Sequence, residues 1–285
     1  MASIADWLGM GRSSRPKWTI APRRNETWGE IVQEVEEHFV QSLEDWRQKM
    51  GLEKMTLMGH SLGGYFAVCY ALKHPTRVEK LILVSPAGIA EGPRDQELKE
   101  KKPPRELLDR EASQLNASLQ EEANAAEAIA RTSVPVRQIP SWVRYLWDRN
   151  ITPMSIVRLS GPFGARLVNG YTSRRFAHLS TDEQHDLYDY LYNITSSTGS
   201  GEYALAAILA PGAYARKPLL HRLSQLQMPT VFIYGEHDWM DYRAAEKASK
   251  NMKVPTKIVR IPGGGHHMYL DESELFDIAL AKEMA

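Results

Sequence analysis

The serine at position 61 stands in Gly59-His60-Ser61-Leu62-Gly63, a spacing that suits a nucleophile carried on a very tight turn. Gly59 and Gly63 flank it because a Cβ at either place would collide across such a turn. The backbone N–H of Leu62 would then face the oxyanion formed when the serine attacks an acyl carbonyl. A serine hydroxyl alone is a poor nucleophile. It needs an imidazole to take its proton and a carboxylate to orient that imidazole. Asp238 and His266 are the candidates for acid and base, with Glu236 and Asp241 as alternative acids and His267 as the rival base. His60 is expected to turn away from the nucleophile as a packing or hydrogen-bonding residue. His185, His221 and His237 read as surface or supporting residues. No His/Cys/Glu set has metal-ligand spacing, so neither a metal nor a cofactor is expected.

These residues need a scaffold, and the hydrophobic pattern supplies one. Glu53 to Met58 alternates as a strand and Tyr65 to Leu72 is an apolar helix, so Ser61 falls on a strand–turn–helix. Lys80 to Ser85 is short and fully apolar, as a central parallel strand should be. Pro229 to Tyr234 is a strand running into Gly235-Glu236-His237-Asp238, and Tyr242 to Met252 is a helix. Lys257 to Ile261 is the last strand, followed by a glycine run, His266 and a C-terminal helix. Each candidate thus lies just beyond the carboxyl end of a strand, where open parallel sheets place their sites.

Upstream, Ser3 to Leu8 reads as the tail of a strand, before the turn-rich Gly9-Met10-Gly11-Arg12-Ser13-Ser14-Arg15-Pro16. No Walker lysine or G-x-G-x-x-G follows, which argues against a phosphate loop. Thr27 to Met50 is an amphipathic helix with a capping box, Thr27 and Glu30, and apolar residues from Trp28 to Trp46 at helical spacing.

Between Glu91 and Leu226 the strand–helix alternation breaks. Lys99 to Arg105 is charged, Glu106 to Ala130 reads as a long solvated helix, and Thr181 to Tyr192 and Gly201 to Ala210 as two shorter ones. The chain therefore divides into a first core part over 1–90, a helical lid over 91–226 and a second core part over 227–285. Between Arg131 and Ser180, Arg131, Arg137, Arg144, Arg149, Arg158, Arg166, Arg174 and Arg175 face a single acid, Asp148. Trp142, Tyr145, Trp147, Phe163 and Phe176 are among the apolar residues between them. Three readings are open: a solvated helical face with its own small core, a surface that meets anionic lipid, or an RNA groove.

Composition narrows the classes. The 285 residues carry 35 Lys+Arg and 35 Asp+Glu, so no global charge draws the chain to nucleic acid or membrane. The single cysteine, Cys69, excludes a disulfide framework and reads as a small buried hydrophobe. No apolar run approaches the roughly 18 residues of a membrane span. Met1 to Asp6 lacks the basic and apolar regions of a signal peptide, so the Asn-x-Ser/Thr matches at Asn25, Asn116 and Asn193 read as chance.

The order Ser61, Asp238, His266 and several longer pieces resemble the α/β-hydrolases of the abhydrolase-domain 4/5 subfamily. The pieces are Asp6-Trp7-Leu8-Gly9-Met10-Gly11-Arg12-Ser13-Ser14-Arg15-Pro16, Gly59-His60-Ser61-Leu62-Gly63-Gly64-Tyr65, Leu83-Val84-Ser85-Pro86-Ala87-Gly88 and Pro211-Gly212-Ala213-Tyr214-Ala215-Arg216. The subfamily's His-x4-Asp box is matched by His266 to Asp271. The resemblance implies an α/β-hydrolase fold, a mostly parallel sheet with helices on both faces and a large helical lid. It also implies a Ser61–His266–Asp238 triad with Leu62 as oxyanion donor.

The branch that looks nearest, the fungal mitochondrial cardiolipin deacylases, implies a phospholipase acting on cardiolipin at the matrix side of the inner mitochondrial membrane. Its partners would be phospholipid and, through the lid, an anionic membrane surface, with no nucleic acid. The box also admits lysophosphatidic acid acyltransfer. A hydrolase of small soluble esters or epoxides is a weaker alternative, since an epoxide hydrolase would want an acid at position 61.

The subfamily pattern begins well before Asp6, with a strand ending in a His-Gly loop that supplies a second oxyanion N–H. No His-Gly pair precedes Ser61 here. The chain therefore reads as N-terminally shortened, its presequence gone and its sheet interrupted between the Asp6 strand and the elbow strand. One lost oxyanion donor typically costs about 10²–10³ in rate, which leaves a non-catalytic lipid-surface or lipase-partner protein as an alternative.

Overall fold

A computed structural model describes residues 3–18, 20, 26–92 and 140–284. The Lys99–Arg105 stretch, the helix expected over Glu106–Ala130, and Arg131 and Arg137 lie outside the described residues, as do Asn25, Asn116 and the side chain of Trp142.

Helix α1 spans Trp28–Lys49. It starts where the capping box predicts: Glu30 N donates to Thr27 Oγ1 at 3.2 Å, and Thr27 N donates to Glu30 Oε2 at 2.8 Å. Strand β1 (Met55–His60) leads into α2 (Leu62–Lys73), and β2 covers Val78–Val84. Among the described residues of the lid are α3 (Ser141–Asp148), α4 (Pro153–Leu159), α5 (Gly164–Arg175), α6 (Thr181–Ser196) and α7 (Ala204–Ile208). Two short strands follow, β3 (Leu209–Ala210) and β4 (Tyr214–Ala215), paired antiparallel. The core resumes with β5 (Thr230–Gly235), α8 (Tyr242–Ser249), β6 (Thr256–Ile261), α9 (Met268–Asp271) and α10 (Ser273–Met284).

The main sheet has the order β1-β2-β5-β6, parallel throughout. Its two faces carry different cores. One packs Leu81, Leu83 and Phe232 against α1 and α2, where Phe39 stacks on Phe66 at 4.4 Å. The other packs Ile82, Val84 and Ile233 against Met268 and Phe276 of the C-terminal helices. This is why Leu81 to Val84 of β2 form a continuous apolar run: both faces are buried there.

Three expectations are corrected. Ser3 to Leu8 forms no strand; Trp7 instead wedges its ring 6.0 Å from Phe39 and 5.3 Å from Phe66. The helix expected up to Ala210 stops at Ile208, because Pro211 and Gly212 turn the chain into the β3–β4 pair. The sheet is not interrupted ahead of the elbow strand: among the described residues β1 is its edge and β2, β5 and β6 follow without a gap. The loop over residues 6–16 is tied instead to the lid. Arg15 donates to the carbonyls of Thr198 and Ile194, at 3.2 and 3.1 Å, and Gly201 N donates to Gly9 O at 3.1 Å.

The lid's arginines do not all face solvent. Arg158 forks onto buried Glu202 at 2.6 and 3.0 Å, and Thr152 Oγ1 donates to the same carboxylate at 2.6 Å. Left outside are apolar side chains at the end of α4 and in the turn after it, with Leu159 83% and Phe163 65% exposed. No described helix is long and apolar enough to cross a membrane.

Candidate active site

Ser61 sits between β1 and α2 with φ 52° and ψ −119°, a backbone conformation that costs a non-glycine residue on the order of 1–3 kcal/mol. The surroundings enforce it. Ser61 N donates to Val84 O at 3.0 Å, and Ala87 N donates to Ser61 O at 3.0 Å, so the strand end of β2 grips both sides of the turn. A Cβ on Gly59 would stand 2.5 Å from Gly63 O. Gly63 itself is less constrained than expected, since its Cβ would meet only Trp7 Nε1 at 3.2 Å. The tighter position is Gly64, whose Cβ would lie 2.9 Å from Pro86 Cβ. Leu62 is the first residue of α2, so its N–H is among the first-turn amides that lack an intrahelical acceptor and can serve an oxyanion.

The loops after β5 and β6 bring the other two residues to this serine. His266 Nε2 lies 3.1 Å from Ser61 Oγ and His266 Nδ1 lies 3.0 Å from Asp238 Oδ1. With Nδ1–H donated to the carboxylate, Nε2 is free to accept the serine proton. Burial works against ionising Asp238, but hydrogen bonds from His266, the Met240 N–H at 3.0 Å and the Ser85 hydroxyl outweigh it and hold the carboxyl below its ordinary range. The two alternative acids are engaged elsewhere: Glu236 accepts from Gly263 N at 3.1 Å, and Asp241 caps α8 through Arg243 N at 3.0 Å.

His60 does not turn away from the site. Its Nε2–H donates to the His266 carbonyl at 2.9 Å, and its ring lies 4.8 Å from the His266 ring. Burial, followed by the charge His266 can carry, takes His60 down to about 4, so it is neutral at pH 7. His267, the rival base, is likewise lowered to about 4 by burial and then by His266. Its ring packs edge-on to Phe176 of the lid at 5.6 Å, and among the described residues its buried Nδ1 has no partner. His185 and His221 pair with Asp189 and Glu91, away from the triad, while His237 lines the cavity beside it.

Asp271, the last residue of the His-x4-Asp box, makes no hydrogen bond to His266. Its Oδ2 accepts from Gly265 N at 2.9 Å, and its Oδ1 lies 3.3 Å from His178 Nε2 and 3.5 Å from Arg175 Nη1. It therefore shapes the loop that carries His266 and ties that loop to the lid. Sequence reasoning missed Ser85, Trp239, Arg175 and His178 as parts of the site. The Trp239 ring lies 4.9 Å from His266, and nothing in the local pattern of these four residues announces such a contact.

This constellation has the geometry for acyl transfer through a serine ester. Residues 4–273 match the family described as alpha/beta hydrolase fold. A 1-acylglycerol-3-phosphate O-acyltransferase of Arabidopsis thaliana is 38% identical over 93% of this chain and 56% of its own length. The human (lyso)-N-acylphosphatidylethanolamine lipase is 31% identical over 95% of this chain and 68% of its own. The chain thus spans little more than half the length of the plant relative. Among solved structures, an esterase from Exiguobacterium antarcticum superposes with a TM-score of 0.55 at 20% identity, over 98% of this chain and 79% of that one, a likeness of fold. The chain belongs to the α/β-hydrolase fold family, with similarity to lipid acyltransferases and lipases of its abhydrolase-domain branch.

Proposed function

We propose that the protein is a serine lipid hydrolase that deacylates phospholipid. The observation that carries this reading is the hydrogen-bonded chain from Ser61 through His266 to Asp238 beneath a lid with exposed apolar side chains. His266 Nε2 takes the Ser61 proton as Oγ attacks the ester carbonyl. Leu62 N–H holds the oxyanion, and the tetrahedral adduct collapses as His266 returns the proton to the departing lysolipid alcohol. Water, deprotonated by the same imidazole, then attacks the acyl-serine and releases the fatty acid. Leu159 and Phe163, with Arg166 between them and α6, would seat the lid on an anionic membrane surface.

A fluorophosphonate probe should label Ser61, and Ser61→Ala should abolish both labelling and fatty-acid release. Labelling of a folded sample that survives this substitution would sink the reading. A folded protein that binds anionic vesicles in a salt-sensitive way, yet turns over no ester, would instead be a lipid-surface or lipase-partner protein.

Acyl transfer is the second reading, favoured by the name of the plant relative; the His-x4-Asp box contains His266 itself and is compatible with both. In acyl transfer the hydroxyl of lysophosphatidic acid replaces water as acceptor. Measuring free fatty acid against phosphatidic acid separates the two. Cardiolipin as substrate, and a matrix-side mitochondrial location, are the narrower proposals; a headgroup panel and organelle fractionation test them.

A further inference from the structure

A cavity of about 500 Å³ opens beside His266, and basic side chains reach it from two separate parts of the chain. Arg175 and His178 come from the end of α5 and the turn after it, and His237 from the loop after β5. Trp239 forms part of its wall next to the catalytic imidazole. The acids on the lining are Asp271 and Glu272. Asp271 gives one oxygen to Gly265 N–H, so a single oxygen faces both His178 at 3.3 Å and Arg175 at 3.5 Å. Glu272 lies over Gly263, where its Oε1 would stand 2.6 Å from an added Cβ.

At 3.5 Å the Arg175 contact is ionic rather than a hydrogen bond, and among the described residues Asp271 is its only acidic partner. The guanidinium rests against the Phe176 ring, 5.1 Å from its centroid, which restrains the side chain while leaving donors of the fork unused. A planar fork with spare donors, two imidazoles beside it and a reacting serine next door make a receptor for an oxyanion with several acceptor oxygens. A cationic headgroup fits less well, because it would have to displace Arg175 and His178 from the one oxygen of Asp271 that faces them.

We propose that this cavity is the subsite for the phosphate of the acyl-ester substrate, with Arg175 as its bidentate donor and His178 and His237 beside it. The assignment rests on the hydrolase reading and names where that substrate's headgroup goes. The test compares 1-acylglycerol 3-phosphate with 1-acylglycerol, two esters that differ only by the phosphate. Wild type should prefer the phosphate ester in kcat/KM, and Arg175→Gln should lower that ratio roughly 10- to 100-fold, the range for losing a charge-assisted pair. Arg175→Lys should fall between, since it keeps the charge and loses the fork. Equal losses on both esters would reduce Arg175 to a lid-positioning residue and overturn the proposal.

A calorimetric titration of the intact protein with sn-glycerol 3-phosphate reads the site even when Ser61 proves inactive. Saturable binding that Arg175→Gln weakens about tenfold or more supports the subsite. Absence of saturable binding to wild type overturns it, as does inorganic phosphate binding just as tightly, which would mark a site for the free ion.

Discussion

The Nε2–H of His60 donates to the backbone carbonyl of His266 at 2.9 Å, so the residue beside Ser61 holds His266 by its main chain. This contact bridges the β1 elbow and the loop after β6, the two segments whose separation sets the distance from Ser61 to His266. Replacing His60 by Leu should lower kcat about fivefold, in line with a lost hydrogen bond of roughly 1 kcal/mol at a distance-sensitive site. His60→Gln, which can still donate, should recover most of the loss. Steady-state kinetics on one soluble ester decides it, and equal rates for the Leu and Gln variants would dismiss the contact.

The same buried imidazoles make stability depend on pH. His60 and His267 are held down to about 4, whereas unfolded histidine takes up its proton near 6.5. Between those values the unfolded chain binds more protons than the folded one. The stability contributed by neutral His60 and His267 is therefore complete above about pH 6.5 and is lost as pH falls towards 4. Urea midpoints measured across this window should drop on acidification. The double variant His60→Gln/His267→Gln should flatten the slope, leaving what His38 and His74, also lowered by burial, contribute.

Gly235 ends β5 directly under the loop that carries His266. A Cβ there would stand 2.3 Å from the carbonyl oxygens of both Gly264 and Gly265, which are backbone atoms that cannot swing aside. Gly235→Ala should therefore push the base loop off the serine. We expect a destabilisation of about 1–3 kcal/mol by denaturant titration, together with a loss of activity larger than that stability change implies.

Glu202 is 5% exposed and neutralises the Arg158 fork inside the lid. Glu202→Ala would leave that guanidinium half-buried without its carboxylate, at a cost of about 3–5 kcal/mol. A thermal melt should report it. An unchanged melting temperature would mean that water replaces the carboxylate without loss.

If the lid meets lipid as proposed, Phe163, exposed at the turn between α4 and α5, is one of the side chains that enters the surface. Phe163→Ser should lower partition onto anionic vesicles about tenfold, the equivalent of withdrawing part of one aromatic from the acyl boundary. Sedimentation with vesicles measures it.

Much of this site could be read from residue types in order. The strand–turn–helix around Ser61, the apolar β2 run and the capping box at Thr27 are local patterns, governed by sterics and hydrogen bonds within a few residues, so sequence alone determined them. The order of Ser61, Asp238 and His266 was legible for the same reason: each follows a strand. Tertiary structure decided everything that depends on which distant surfaces meet. His60 faces the base because β1 and the loop after β6 converge. Asp271 serves Gly265 and the lid because α5 lies across it, and Trp7 packs between Phe39 and Phe66 where a strand was expected. Such contacts arise from the packing of whole elements, and no spacing along the chain encodes the distance between side chains carried on different elements.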